Sequence, residues 1–494
     1  MFTSAFTKIG NIFIQGEDVH LHLQFPFLKR NQIGYQLSVE VFDFWGQKVL
    51  AQTDIPLSSG DRGLTVDISF KLETVGWFRV GLSLQKDHKN IPLINKGLAG
   101  EESFLTFAVL SKFENHPQDS PFGVCVHSLS EDTARLINLG GISWIRTDVF
   151  WDNIQPDRNS YRWERLDQIL HLAEQNNLRV LPIIDYGVPW ASTAPARASD
   201  FEKTRYQPKT FAYENFVERL VERYKGSIHF WEIWNEPNID FWKSPKEEYA
   251  GFLKGSYEAI RKVDPDALVL MGGLAGAPVD WLKTLSQNQA GEAFDIYNIH
   301  PYHFPDAPEP RLPRELIAFK AAADGRGAKP LWITEIGAPT NMVTLEEQAS
   351  FLVRDAVLAL ANGVTKFFWY ELADDHINSK DREANFGILF YDLSPKPAYV
   401  AYANLIRLLD GQKFKSKINF GSSTAYGFVF AGEPGDILIL WTTQKREEIK
   451  LPVPASSIKR VDLMGQEETL EIGNNELMLT LTGNPVYLLP QRKP

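Results

Sequence analysis

A single cysteine, Cys125, stands in 494 residues. One thiol forms neither an internal disulfide nor a cysteine-rich metal site. Its place in the apolar run 122–126 reads as inert core packing. Basic charge is also short: 51 Lys and Arg against 62 Asp and Glu give a formal net charge of -11. That balance argues against nucleic-acid and anionic-membrane partners, which reward basic patches. No stretch approaches the ~20 apolar residues of a membrane span. Met1-Phe2-Thr3-Ser4 lacks the basic-then-apolar order of a signal peptide, so the chain reads as cytoplasmic, or as exported with its signal removed. HExxH and Cys/His clusters are missing too, and the spacing of His127, His300 and His303 is not diagnostic of a metal site. No metal or cofactor is expected. Internal repeats and low-complexity tracts are likewise lacking, and nothing speaks for or against a homo-oligomer.

What is present is apolar residues at 44% of the chain, sufficient for sizeable cores, and a length that implies two or three domains. Residues 1–115 show strand-like alternation, as in Val19, Leu21, Leu23, Phe25 and in Tyr35, Leu37, Val39, Val41. Phe78, Val80, Leu82 and Leu84 repeat it, with turn clusters such as Ser58-Ser59-Gly60-Asp61 between runs. This predicts a β-sandwich, read as a packing domain rather than a glycan-binding one. The polar, proline-bearing stretch 114–121 reads as a linker.

Between residues 116 and 411 buried strands alternate with amphipathic helices. Eight strands are expected, near 122–127, 142–149, 179–185, 228–234, 267–273, 294–300, 330–335 and 366–369. Helical stripes include Leu166, Ile169, Leu170, Ala173 and Val217, Leu220, Val221, Tyr224, and a third runs through Tyr402, Leu405, Ile406, Leu409. Ser244-Pro245-Lys246-Glu247 and Thr344-Leu345-Glu346-Glu347 read as capped helix starts. Eight βα units predict a (β/α)8 TIM barrel. The rival, a doubly wound open sheet, lacks its Gly-rich loop after the first strand. Residues 412–494 return to alternating β patterns and predict a second small sandwich.

Chemistry in a TIM barrel sits at the C-terminal ends of the strands. The fourth strand ends in Trp234-Asn235-Glu236-Pro237 and the seventh in Thr334-Glu335-Ile336-Gly337. Two carboxyl groups facing one cleft are what acid–base and nucleophilic work on a sugar acetal requires. Glu236, beside Trp231, Trp234 and Pro237, is the expected acid, and Glu335 the ionised partner, with Arg146 after the second strand as its cation. Asn235 is placed to donate to a sugar 2-hydroxyl. Tyr302 is expected to bond the nucleophile, with His300 lining the pocket and His127 a weaker contact at the end of the first strand. Ten of the 13 tryptophans lie between Trp144 and Trp369. Trp151, Trp190, Trp242 and Trp369 stand at strand ends or loop starts, where flat rings stack sugars. Trp369 is expected to floor the site and Trp242 to stack the leaving group. Long loops at 186–215, 302–313 and 374–385 are expected to shape the cleft.

These motifs resemble clan A of the glycoside hydrolases: Trp-Asn-Glu-Pro after the fourth strand, Thr-Glu-Ile-Gly after the seventh, arginine after the second and His-x-Tyr after the sixth. The ending from Trp369 to Pro397, with Asn385-Phe386-Gly387 and Lys396-Pro397-Ala398-Tyr399, is similar too. Within the clan the chain is most similar to family 39, with family 5 second. The resemblance covers about residues 120–410 and implies a retaining hydrolase. Glu236 would be the acid/base, Glu335 the nucleophile, Asn235 the 2-hydroxyl contact, and Arg146 and Tyr302 the nucleophile's supports. The implied partner is a carbohydrate, with sugar and linkage unspecified. A transglycosylase and a non-hydrolytic carbohydrate-binding protein are the alternatives.

Overall fold

A computed structural model describes residues 3–28, 34–60, 63–93, 105–113, 119–324, 329–433 and 435–489. Its centre is a closed barrel of eight parallel strands. We number these β1 (Phe122–Cys125), β2 (Trp144–Phe150), β3 (Arg179–Asp185), β4 (Phe230–Asn235), β5 (Leu268–Ala275), β6 (Tyr297–His300), β7 (Leu331–Ile336) and β8 (Val364–Trp369). Each pairs with the next, and β1 pairs with β8 to close the ring. All eight expected strands are present. They read as near-continuous apolar runs because helices cover their outer faces while side chains fill the inside.

The inside is plugged by Cys125, Trp144, Leu181, Leu270, Ile296, Trp332 and Phe368. Trp144 and Trp332 meet edge to face at 5.6 Å, and Trp332 stacks on Phe368 at 6.2 Å. Ser120, expected in the linker, is buried beneath this plug and accepts a bond from Trp144 Nε1 at 3.1 Å. Residues 114–118 of that stretch lie outside the described residues. Cys125 is a core thiol, as expected, and burial pushes it well above its ordinary value.

The three helical stripes lie on the helices Glu164–Gln175, Thr210–Tyr224 and Pro397–Leu409, where their residues pack against the barrel. The Thr344 capping box is present: Thr344 accepts from the Glu347 N–H and Glu347 returns the bond. The Ser244 cap is not. The helix Lys246–Val263 starts without a side-chain cap, because the Ser244 hydroxyl accepts instead from the Gln207 N–H at 2.9 Å. That bond ties the β3 loop to the β4 loop.

Before the barrel, two sheets face each other. One has the order Thr3–Phe6, Asp18–Phe25, Gly63–Lys71, Ser58–Gly60. The other runs Ile12–Ile14, Leu105–Leu110, Gly76–Lys86, Tyr35–Asp43, Lys48–Ile55. Val19, Leu21, Leu23 and Phe25 from the first meet Leu37, Val39, Val41, Phe78 and Val80 from the second in one core. Ser58–Gly60, expected as a turn, is a short strand paired with Gly63–Lys71; Asp61 lies outside the described residues. After the barrel, a six-stranded sheet and a two-stranded sheet enclose Leu440, Ile449, Leu477, Leu479, Leu481 and Leu488. These C-terminal sheets are fastened to the barrel by buried polar contacts. Trp441 Nε1 donates to Glu309 Oε1 at 2.7 Å, and Glu309 takes both arms of the Arg354 guanidinium.

Candidate active site

At the C-terminal mouth of the barrel lies a cavity of about 650 Å³. Glu236 and Glu335 both line it, with Arg146, Asn235, His127 and Tyr302. Strand alternation alone would not turn both carboxylates inward. At the end of β4, Trp234 has φ 71° and Glu236 φ 42°, a left-handed backbone that side chains adopt only under constraint. On β7 the pairing with β8 slips between Ile333 and Ile336, the kind of irregularity that re-aims a side chain. One oxygen of Glu236, one of Glu335 and one ring nitrogen of His300 all lie within 4.8 Å of one another.

The two carboxyls have different surroundings. Tyr302 donates its hydroxyl to Glu335 Oε2 at 2.9 Å, and Arg146 Nη1 donates to Glu335 Oε1. Burial alone would push this carboxyl up, but the charges of His300 and Arg146 and the bonds from Arg146 and Tyr302 hold it below the ordinary glutamate range. Arg146 is itself buried, and its Nε and Nη2 donate to Glu232 at 2.8 and 2.7 Å. Nη2 also donates to Asn235 Oδ1 at 3.0 Å. Glu232 went unremarked in the sequence, although a carboxylate in the middle of an apolar strand was the signal for it.

Glu236 faces an imidazole instead. His300 Nδ1 lies 3.0 Å from Glu236 Oε1, and Nε2 lies 2.9 Å from the Thr334 hydroxyl. That hydroxyl donates to Asn298 Oδ1 at 2.8 Å, so toward His300 it accepts. Nε2 therefore faces an acceptor, and Nδ1 faces the Glu236 carboxyl. The sequence places His300 in the pocket lining, and the structure corrects this: it is not among the residues that line the cavity. It is fully buried behind the two glutamates and touches both, 3.0 Å from Glu236 and 3.6 Å from Glu335. Gly273 makes this possible, because a Cβ there would collide with the ring at Nε2.

The chain matches the family described as Cellulase (glycosyl hydrolase family 5) over residues 110–372, more than half its length. It belongs to glycosyl hydrolase family 5. Two curated relatives are a β-xylosidase of Caldicellulosiruptor saccharolyticus, 25% identical over 311 residues, and endo-1,4-β-xylanase A of Phanerodontia chrysosporium, 30% identical over 122 residues. The first alignment covers 56% of this chain and 62% of the relative, and the second 24% and 29%. The chain thus spans less than two thirds of either relative. Among solved structures, a family 39 glycoside hydrolase from Bacteroides cellulosilyticus WH2 superposes with TM-score 0.77 at 22% identity, covering 97% of this chain and 99% of that one. Family 39, ranked first by the sequence motifs, thus enters as a likeness of fold, and family 5 as the matched family.

The four tryptophans assigned to substrate lie elsewhere in this family 5 barrel. Trp369 and Trp151 are fully buried in the layer between strands and helices, Trp151 stacking on Phe216 at 5.1 Å. Trp242 packs on Trp234, Tyr249 and Phe252 and donates to the Pro245 carbonyl at 3.1 Å. Trp190 leans on Trp151 and donates to the Gln155 carbonyl at 3.4 Å. None of the four lines the cavity. Alternation along β8 sends Phe368 and Tyr370 inward and Phe367 and Trp369 outward, so Tyr370 occupies the wall assigned to Trp369. The cavity's aromatic walls are Phe150, Tyr186, Phe241, Tyr302, Phe304, Tyr370 and Phe386, of which the long loops 186–215 and 302–313 supply Tyr186, Tyr302 and Phe304. Replacing Trp242 by Ala should therefore cost about 3–5 kcal/mol of stability. KM of the folded enzyme should change little. Denaturant titration beside steady-state kinetics checks this.

His127 does line the cavity. Its Nδ1 lies 3.2 Å from Asp148 Oδ2 and its Nε2 3.1 Å from the Tyr370 hydroxyl and 3.4 Å from Glu371 Oε2. The Asp148 bond raises the imidazole to about 9 against the effect of burial. Burial raises Glu371 to about 9 as well, with His127 opposing. At neutral pH His127 is thus a cation on the cavity wall.

Among the described residues two groups have the spacing of metal ligands, Glu236–His300–Glu335 and His127–Glu371–Asp375. In the first, Glu335 already receives donors from Arg146 and Tyr302, a set suited to holding a bare carboxylate. Replacing Arg146 by Met leaves Glu232 and Glu335 buried without their cation. The expected loss is about 3–5 kcal/mol of stability. The sign follows from the depressed Glu335 carboxyl: its contribution is present above the unfolded value and is lost as pH falls through the folded one. Without Arg146 the acid limb of the pH–rate profile should move to higher pH. Melts at several pH values and the profile itself check both.

Proposed function

We propose that this family 5 chain is a retaining O-glycoside hydrolase acting on an oligo- or polysaccharide by double displacement. Glu236 is the acid/base and Glu335 the nucleophile. The observation that carries the reading is the approach of their oxygens to within 4.8 Å across one cavity, with Arg146 and Tyr302 donating to Glu335 alone. Retaining enzymes hold their two carboxyls ~5–5.5 Å apart, whereas inverting ones need ~6.5–9.5 Å to admit a water.

In the first step Glu335 attacks the anomeric carbon, Glu236 gives its proton to the departing oxygen, and a glycosyl ester forms on Glu335. In the second, Glu236, now a carboxylate, takes a proton from water; the water oxygen bonds to the anomeric carbon and Glu335 leaves. The surroundings serve both halves. As Glu335 loses its charge on forming the ester, Arg146 keeps Glu232 as a counter-ion, so no bare cation is left buried. As Glu236 alternates between acid and carboxylate, its Oε1 stays within hydrogen-bond reach of His300 Nδ1, at 3.0 Å. Asn235 Nδ2 has only a 3.4 Å contact with the Tyr186 oxygen and is free to donate to a sugar 2-hydroxyl.

The relatives' names put β-1,4-linked xylose first among sugars to screen. A panel of aryl glycosides and xylo-oligosaccharides, followed by proton NMR from the first seconds of turnover, tests the reading. The first-formed product should have the anomeric configuration of the substrate. A product of inverted configuration would contradict it.

A further inference from the structure

The wall of the cavity beside Glu236 carries a cation that the reaction does not use. Arg205 lies on the loop after β3 and lines the same cavity as the two glutamates. Its guanidinium sits 4.4 Å from the Phe201 ring centre and 5.0 Å from that of Phe241. Phe241 in turn stacks on Tyr186, 7° from parallel at 5.6 Å. The result is a four-layer stack, Tyr186–Phe241–Arg205–Phe201, built from two loops. Stacking occupies the faces of a guanidinium and leaves its N–H edge for a planar acceptor. Among the described residues no carboxylate lies within 4 Å of that edge and no acceptor takes a bond from it. The neighbouring Lys243, by contrast, is paired with Glu202 at 3.2 Å. Phe201, the outer layer of the stack, is 67% exposed. Asp240 also lines the cavity here and is exposed, but it is not paired with Arg205.

Ile239, Asp240 and Phe241 stand three to five residues after Glu236, the group proposed to protonate the departing oxygen, and line the same cavity, so this wall borders the leaving-group part of the substrate. We propose that Arg205, held between Phe201 and Phe241, is a specificity-determining subsite for an anionic substituent, a carboxylate or sulfate, on the leaving-group side of the glycan. It rests on the reading of this cavity as a glycan cleft. A bidentate, charge-assisted bond to such an oxyanion would supply the acceptor the guanidinium lacks. The rings on either side would cover the apolar face of the same sugar.

The test is isothermal titration of the full chain with three probes. These are glucuronic-acid-substituted xylo-oligosaccharides, the same oligosaccharides after carboxyl reduction, and sulfated carrageenan oligosaccharides. One charged set should bind at least about tenfold tighter than the neutral set, and which one it is separates carboxylate from sulfate. Arg205→Gln should abolish the preference and Arg205→Lys, a point charge without the fork, should keep part of it. Raising the salt concentration should weaken the charged set selectively. Equal binding of neutral and charged sets, an unchanged preference in Arg205→Gln, or no binding of either charged set at millimolar concentration would each overturn the proposal. If one variant fails to fold, the other and the reduced glycan still decide. Charged-glycan preference without hydrolysis would sink the hydrolase reading alone, and retaining hydrolysis without that preference would sink only the Arg205 subsite.

Discussion

Replacing Glu335 by Gln should lower kcat/KM by roughly 10⁴- to 10⁶-fold, the range seen when a nucleophile is removed from a covalent mechanism. The amide cannot form the glycosyl ester, so no intermediate accumulates. Arg146 retains Glu232 and can donate to the amide oxygen, and the Tyr302 hydroxyl can accept from the amide N–H, so the variant should fold. Its thermal midpoint is therefore the control: a large loss of activity at near-normal stability assigns the effect to chemistry. A loss that merely tracks unfolding would point to a structural role for Glu335. Added azide should not restore turnover with retention, because the missing group is the one that must bond to the sugar.

Replacing Glu236 by Ala has a different signature. Loss of a general acid costs about 10²–10⁴-fold, and the cost depends on how much help the leaving group needs. Substrates with poor leaving groups should lose most. Aryl glycosides with acidic phenols should still glycosylate Glu335 and then stall, because water lacks its base. A burst of phenol followed by slow turnover is the expected trace. Azide needs no base and fits the space vacated by the side chain, so it should release a glycosyl azide of retained configuration. If azide rescues neither rate nor product, Glu236 is not the acid/base.

The barrel was readable in the sequence because its strands are buried on both faces. Such strands are apolar without interruption, and the turns that end them are polar, so their spacing around 122–369 survives without any knowledge of pairing. Arg146 was readable for the complementary reason: a lone cation inside such a run needs a buried partner, and it has two, Glu232 and Glu335. Glu232 carries the mirror-image signal, a lone carboxylate inside an apolar run that needs a buried cation. The side-chain faces at strand ends were not readable. Trp369 and Tyr370 are adjacent, both are aromatic, and only the phase of β8 decides which one meets the cavity. The backbone turn at Trp234 and Glu236 and the slip on β7 are set by packing of the whole barrel, and no local signal announces them. Contacts between loops were equally hidden. The Arg205–Phe241 stack and the Ser244–Gln207 bond join segments some 35 residues apart, and each residue read alone suggests something simpler.

The relation of Glu335 to the sugar can be measured directly. The enzyme is incubated with a 2-deoxy-2-fluoro glycoside carrying a good leaving group, digested, and its peptides are weighed. The account predicts one peptide heavier by one fluoro-sugar, containing residues 331–337 and modified at Glu335, with reactivation on dilution into excess acceptor. A label on any other carboxylate, or rapid cleavage of the reagent's non-fluorinated parent with no labelled peptide and an inverted product, would contradict it.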